Sequence, residues 1–252
     1  MYSPQEIAAI SAAENLMRET MARYDPSHDA WHVERVRKTA LTLAHYISAA
    51  APDEKGPDLL VVELAALLHD VLDRKYATPA ETADPYTFFL PFFQSLAKDH
   101  ELDLISDGRA RLVARIVENV SWTTEQKLIA AGLIEDWHRT CVELHCVQDA
   151  DRLDAIGAFG VLRCAAYGAV VNRQVPCHFN LVIAEKAHRA LYVPPSVSQH
   201  TTSTIEHFHY KLVHVKDRLK TEPGRRMGIK RHQVIVDFIQ SVDEEYSAKI
   251  PS

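Results

Sequence analysis

Histidine followed directly by aspartate at 69–70 lies near the end of the apolar run DLLVVELAALLHDVLD. An imidazole and a carboxylate among Leu67, Leu68, Val71 and Leu72 are costly to bury unless they are paired or bound to a metal. Adjacent residues on a helix differ by about 100°. The two side chains can therefore grip one partner from two directions but cannot share a face. A plain His–Asp hydrogen bond at a helix end would satisfy the same residues. A second imidazole, His32, falls on an apolar stripe with Val36, Ala40, Leu43 and Ile47, where a satisfied core histidine is the ordinary occupant. Three acids, Asp149, Asp151 and Asp154, crowd the segment VQDADRLDAIGAFGVLR. On a helix Asp149 stands about 160° from Asp151, so the two do not serve one ion, whereas Asp154 lies about 60° away. Each acid taken singly is equally consistent with a solvated or salt-bridged position.

These residues need rigid elements to bring them together, and helical periodicity dominates the chain. Helices are expected over 4–23, with Ile7, Ile10, Met17 and Met21 near one face, and over 29–50, after the break Asp25-Pro26-Ser27. An apolar helix over 58–73 carries the His-Asp pair in its C-terminal half. Residues 52–57 and 76–86 read as loops, and TFFLPFFQSLAKDH as a helix start or an aromatic-rich lid. Further helices are expected over 108–120, 125–137 and 141–170, the last with Gly157 and Gly160 where two helices approach closely. Residues 172–203, with Pro176, Pro194 and Pro195, read as irregular and as a candidate active-site cover. Two closing helices, 204–220 and 225–247, flank Thr221-Glu222-Pro223-Gly224. The expectation is one all-α domain over 1–252, without repeats or linkers.

Composition narrows the function classes. At 252 residues the chain can bury a sizeable core. Its 47% apolar and 25% charged residues match an ordinary globular protein. A net charge of −6 speaks against affinity for polymeric nucleic acid. Only 8 glycines argue against a Gly-rich phosphate loop. No apolar run approaches the roughly 20 residues of a membrane span, and the amphipathic, acid-bearing start resembles no export signal. Cys141, Cys146, Cys164 and Cys177 lack metal-site spacing and read as buried thiols. The expected location is the cytoplasm, with the nucleus also open.

Taken together, the order is His, His-Asp, Asp, each on a helix. This pattern resembles the HD-domain metal-dependent phosphohydrolase superfamily, whose signature is H…HD…D. The likeness extends over SHDAWHVERV, LLHDVLDRKY, VQDADRLDAIGAFGVLR, EHFHYKLVHVKDRL and GRRMGIKRHQVIVDFI, from about 25 to 246. These blocks look like a bacterial and fungal subgroup of small single-domain HD hydrolases linked to nucleoside-triphosphate pyrophosphohydrolase activity. The resemblance implies an HD-type helical bundle and one divalent ion held by His32, His69, Asp70 and Asp151. Such a nitrogen–oxygen set suits Mn²⁺, Fe²⁺, Co²⁺, Ni²⁺ or Zn²⁺ better than Ca²⁺. Four protein ligands on an octahedral ion leave two positions, enough for a water and a phosphate oxygen.

Asp73, at i+4 from His69 and i+3 from Asp70, projects between them on a helix and is the candidate for orienting or deprotonating the attacking water. The alternative is a surface pair with Arg74 or Lys75. Lys75, in the DRKY run, is a candidate phosphate partner. His28, one turn before His32, is a candidate phosphate contact or leaving-group acid, unless the cap region of the helix explains it. Arg35, Arg152, Arg163, Lys211 and Arg231, with Arg225, supply candidate positive donors for a phosphate chain. Phe88, Phe89, Phe92 and Phe93 are candidates for a base pocket or for plain core.

The implied reaction is hydrolysis of (deoxy)nucleoside triphosphates to monophosphate and pyrophosphate. Hydrolysis of a monoester by a 5′-nucleotidase, a cyclic-nucleotide phosphodiesterase or a (p)ppGpp-type hydrolase keeps the same metal chemistry. A di-iron oxygenase on the same scaffold would need further histidines before Asp151. That interval holds only His100, His138 and His145, and VENVSW has none. A non-catalytic nucleotide-binding protein is the remaining alternative. A homodimer is compatible with the sequence but no motif specifies it.

Overall fold

The computed structural model describes residues 2–25, 29–53, 55–72, 84–173 and 203–248. Among these there are eleven α-helices, one 3-10 helix and no strand. The internal contacts gather them into two units, the first running up to Asp151 and the second from Arg152 onward together with Asp25.

In the first unit, α1 (Pro4–Met21) starts with a capping box. Ser3 Oγ accepts from Glu6 N–H, and Glu6 accepts from Ser3 N–H at 2.8 Å. Its buried face is Ala9, Ile10, Ala13, Met17 and Met21. Ile7, expected there, is exposed instead, because at 100° per residue it stands about 100° from the centre of that buried face. α2 (Ala30–Ala50) is capped by Asp29, whose side chain accepts from His32 N–H at 2.9 Å. α3 (Leu59–Leu68) is capped by Asp58, which accepts from the N–H groups of Leu60 and Val61. From Leu60 to Leu68 every residue of α3 is buried, and α1, α2 and α5 pack around it.

The aromatic segment forms α4 (Pro85–His100), capped by Asp84, with Pro91 inside it. Phe89 and Phe93 are its fully buried anchors, and Phe88 and Phe92 stack edge-on against them. The four phenylalanines are thus largely core. α5 (Arg109–Asn119) follows. The helix expected over 125–137 is two, α6 (Trp122–Ala131) and α7 (Asp136–Thr140), because Gly132 at φ +68° ends the first. α8 (Val142–Asp154) carries the crowded acids.

In the second unit, α9 (Gly157–Val170) begins at a left-handed Gly157, φ +78°, so the span 141–170 is also broken in two. A Cβ there would stand 3.1 Å from Arg231 Cγ, so the close approach expected at this glycine is present. The span 204–220 divides into α10 (Thr204–Tyr210) and a 3-10 helix, Leu212–Arg218. The last helix, α11 (Glu222–Tyr246), packs on α9 and on the 3-10 helix. Thr221-Glu222-Pro223-Gly224 opens this helix rather than separating two: Thr221 caps it and Pro223 sits in its first turn, where a missing N–H costs nothing.

Cys141, Cys146 and Cys164 are buried free thiols; burial pushes them up to about 11, 12 and 11. Cys177 and nearly all of the expected cover, residues 174–202, lie outside the described residues. No single helix among those described is long and apolar enough to cross a membrane.

Candidate metal centre

The His-Asp pair does not sit within α3, as the sequence suggests, but in the turn that ends it. His69 is the C-cap, and Val71 N–H bonds to Leu68 C=O, three residues back, at 3.1 Å. That tightened turn takes His69 and Asp70 off the helix surface. Its far side is tied down by Tyr24, whose hydroxyl donates to Val71 C=O at 3.2 Å.

Four donors meet at this turn, all within the first unit. His69 Nε2 stands 3.4 Å from His32 Nε2 and 3.5 Å from Asp70 Oδ1. His32 Nε2 stands 3.3 Å from Asp70 Oδ2 and 3.6 Å from Asp151 Oδ1. One ligand atom from each of His32, His69 and Asp70 falls within 4.8 Å of the others. His32 and His69 are almost wholly buried, while Asp70 and Asp151 are partly exposed. His69 Nδ1 lies 2.8 Å from Ala66 C=O. A carbonyl only accepts, so Nδ1 carries the proton and Nε2 presents its lone pair to the cluster.

This donor set fits a divalent transition metal. Ligands at about 2.1 Å from one ion lie about 3.0 Å apart at a right angle and about 3.4 Å apart at a tetrahedral angle. The observed spacings of 3.3–3.6 Å match such a cluster. Two imidazoles with carboxylates form a mixed set suited to Mn, Fe, Co, Ni or Zn.

The helix that carries Asp151 is held from the same unit. Gln148, one turn before Asp151 and 2% exposed, donates from Nε2 to Asn119 C=O at 2.7 Å, at the end of α5. Asn119 Oδ1 in turn meets His138 Nε2 at 3.3 Å, and His145 Nε2 bonds His138 C=O. Both histidines of the 138–145 stretch are thus placed in a structural network. Asp149 is fully buried beside them in the sequence.

His28, Asp73 and Lys75 lie outside the described residues. Arg35 is half-buried on α2, three residues after His32. Four of the candidate phosphate donors in the second unit have structural partners. Buried Arg152 donates from Nη1 to Arg218 C=O at 2.7 Å. Arg163 pairs with Asp154 at 3.0 Å, and Arg231 donates to Leu153 C=O at 2.6 Å. Arg225 bonds Lys220 C=O in the same way. Lys211 sits between α10 and the 3-10 helix, where its charge acts on His207. Two residues not singled out from the sequence, Arg37 and Glu63, form a close ion pair between α2 and α3. Their signal was available: Glu63 is the lone charge in a ten-residue apolar helix.

No protein-family model matches the chain. A Bacillus thuringiensis protein named as an HD-superfamily hydrolase superposes at TM-score 0.61 with 24% identity, over 97% of this chain and all of that one. Among curated proteins, uncharacterized YpgQ of Bacillus subtilis is 28% identical over 218 residues, 86% of this chain and 84% of YpgQ. The structure of YpgQ in complex with ADP matches at TM-score 0.56 over 92% of this chain and 97% of YpgQ.

Proposed function

We propose that this chain is a metal-dependent phosphohydrolase acting on nucleotides, which converts (deoxy)nucleoside triphosphates to monophosphate and pyrophosphate. The observation that carries the reading is the convergence of His32, His69 and Asp70 with metal-ligand spacing, with Asp151 Oδ1 3.6 Å from His32 Nε2. A bound divalent ion supplies Lewis acidity toward a phosphoryl oxygen and lowers the pKa of water. The HD-superfamily hydrolase fold supports the hydrolase class. The ADP complex of YpgQ supports a nucleotide as the ligand. Among the ions this donor set suits, Mn²⁺ is the one proposed here.

The protein's own contributions divide by position. His69 is locked in one tautomer by Ala66, so its Nε2 needs no reorientation to bind an ion. Asp73, three residues past Asp70, is assigned to orienting or deprotonating the attacking water. Lys75 and His28 are assigned to the phosphates, and Arg35 and Lys211 are further candidates for the same charge. The location remains the cytoplasm, as the sequence suggests.

The test is an assay of the purified protein with Mn²⁺ against nucleoside triphosphates and monophosphates, resolving pyrophosphate from phosphate. Pyrophosphate release that disappears in Asp70→Ala is the expected result. Phosphate from monophosphates would retain the metal site and move the activity to a nucleotidase. Absence of turnover on every member would overturn the nucleotide reading. Within that assay, Asp73→Asn should keep the metal and lose about 10²–10⁴ in rate; a near-normal kcat removes Asp73 from the water-orienting role.

A further inference from the structure

The metal centre depends on how α2 is registered against α3, and α3 alone specifies little register. Its ten residues, LLVVELAALL, are apolar all round and buried from Leu60 to Leu68. Burial of apolar surface is non-directional. A step of one residue along α3 moves the helix about 1.5 Å and turns it about 100°, and it still presents leucine, valine or alanine to every neighbour. The same step would carry His69 and Asp70 out of range of His32, because ligand distances tolerate only about 0.2 Å.

One residue breaks the degeneracy. The Glu63 carboxylate is 3% exposed, and Arg37 on α2 meets its Oε1 with Nη2 at 2.6 Å and Nε at 2.8 Å. Arg37 is anchored in turn, with Nη1 3.2 Å from Glu14 on α1 and 3.8 Å from Glu34. Burial works against the guanidinium charge, but Glu63, Glu34 and Glu14 together more than offset it and raise its pKa. In any other register Glu63 would be buried without its partner, which is strongly unfavourable.

The positions agree with one antiparallel register. Going from Arg37 back to His32 is five residues on α2, about 7.5 Å. Going from Glu63 forward to His69 is six residues on α3, about 9 Å. The ion pair and the His32–His69 contact are therefore two α2–α3 contacts about one and a half helical turns apart, in the same antiparallel order. From this juxtaposition we infer that Arg37 and Glu63 are positioning residues, a register lock that holds His32 opposite His69 and Asp70. This inference rests on the metal-centre reading above.

The test separates the lock from simple stability. Mn²⁺ affinity of the metal-free full chain is read by loss of the free-ion electron paramagnetic resonance signal, and its thermal midpoint is measured alongside. The double variant Arg37→Met/Glu63→Leu replaces the pair with apolar groups. It is expected to keep a midpoint near or above that of the parent and to bind Mn²⁺ at least tenfold more weakly. Leu43→Ala, a buried change eleven residues from His32, is expected to lower the midpoint and leave Mn²⁺ affinity within twofold. Parent-like affinity in the double variant overturns the lock, as does an equal affinity loss in Leu43→Ala. Should the double variant not fold, Glu63→Gln serves, with a three- to tenfold affinity loss expected and parent-like affinity overturning the lock. A parent chain that binds no Mn²⁺ overturns the metal centre itself and takes the lock with it.

Discussion

The end of α3 and the end of α8 treat buried polar groups in opposite ways. At the end of α3, two imidazoles and a carboxylate, joined by Asp151, point their donor atoms at one another across 3.3–3.6 Å. At the end of α8, each polar group has its own arginine. Leu153 C=O takes Arg231, and the Asp154 carboxylate, 3% exposed, takes Arg163. Arg152, in the same last turn, donates to Arg218 C=O. One orphan carbonyl of that helix end, Leu153 C=O, is there satisfied by a side chain of the same chain. A cluster of converging lone pairs calls for an outside cation, whereas a set of one-to-one pairs is already complete. Sequence alone offers acids and arginines in both places; only the partners tell a ligand from a strut.

The sharpest way to break this contrast is to delete a converging donor. His69→Ala or Asp70→Ala is expected to strip the divalent ion and to lower hydrolysis by about 10³-fold or more, since the ion supplies the main stabilisation of charge. Metal content by mass spectrometry, measured beside turnover, checks both. Either variant retaining full activity while metal-free would remove the mechanism.

Removing a strut should do the reverse. Arg163→Met removes the 3.0 Å guanidinium partner of the buried Asp154 carboxylate, which costs up to about 3–5 kcal/mol of stability. Mn²⁺ affinity at a temperature well below the midpoint should be unchanged. Denaturant unfolding and a metal titration on the same sample distinguish the two; loss of metal with little loss of stability would make Arg163 part of the site after all. A smaller effect is expected at the neighbouring turn. Gly157→Ala must adopt φ +78° and crowd Arg231 Cγ, 3.1 Å from the new methyl. Such positions cost about 1–2 kcal/mol, read as a lowered urea midpoint, and parent-like stability would show that the turn relaxes freely.

The contrast also marks what the sequence could and could not tell. Helix existence followed from periodicity, and α1, α2 and α3 begin within about two residues of the expected starts because Ser3, Asp29 and Asp58 are ordinary caps. Helix breaks at Gly132 and Gly157 were missed, since a glycine in an apolar pattern reads as a tolerated residue until its φ is known. The grouping of His32 with His69 and Asp70 is suggested in the sequence by resemblance rather than by spacing: His32 on its stripe looks like any core histidine. The arginines' structural partners are not legible in the sequence, because a guanidinium that caps a carbonyl 78 residues away, as Arg231 caps Leu153, has no local signature. Conversely Glu63 was overlooked although a single acid in an apolar helix is a buried charge that must find a partner.

The mildest test applies the same distinction to a histidine. His207 on α10 is half-buried, its Nδ1 2.7 Å from the Tyr210 hydroxyl. Burial, then the Lys211 and Arg173 charges, lower its pKa from the ordinary 6.5 to about 3. Where His32 and His69 gather acids around them, His207 has cations for company, so it is kept neutral. Between about pH 6.5 and 3 the unfolded chain binds a proton here that the folded chain refuses. Its contribution to stability is therefore complete above the unfolded value and is lost as pH falls through that window. One pH unit below 6.5 the loss should be on the order of 1 kcal/mol. His207→Gln is uncharged throughout and removes that term alone. Urea midpoints at pH 7.5 and 5.5 should then converge more closely in the variant than in the parent. Parallel changes in the two proteins would mean that His207 titrates like an exposed imidazole, and that the second unit does not exclude charge at this point.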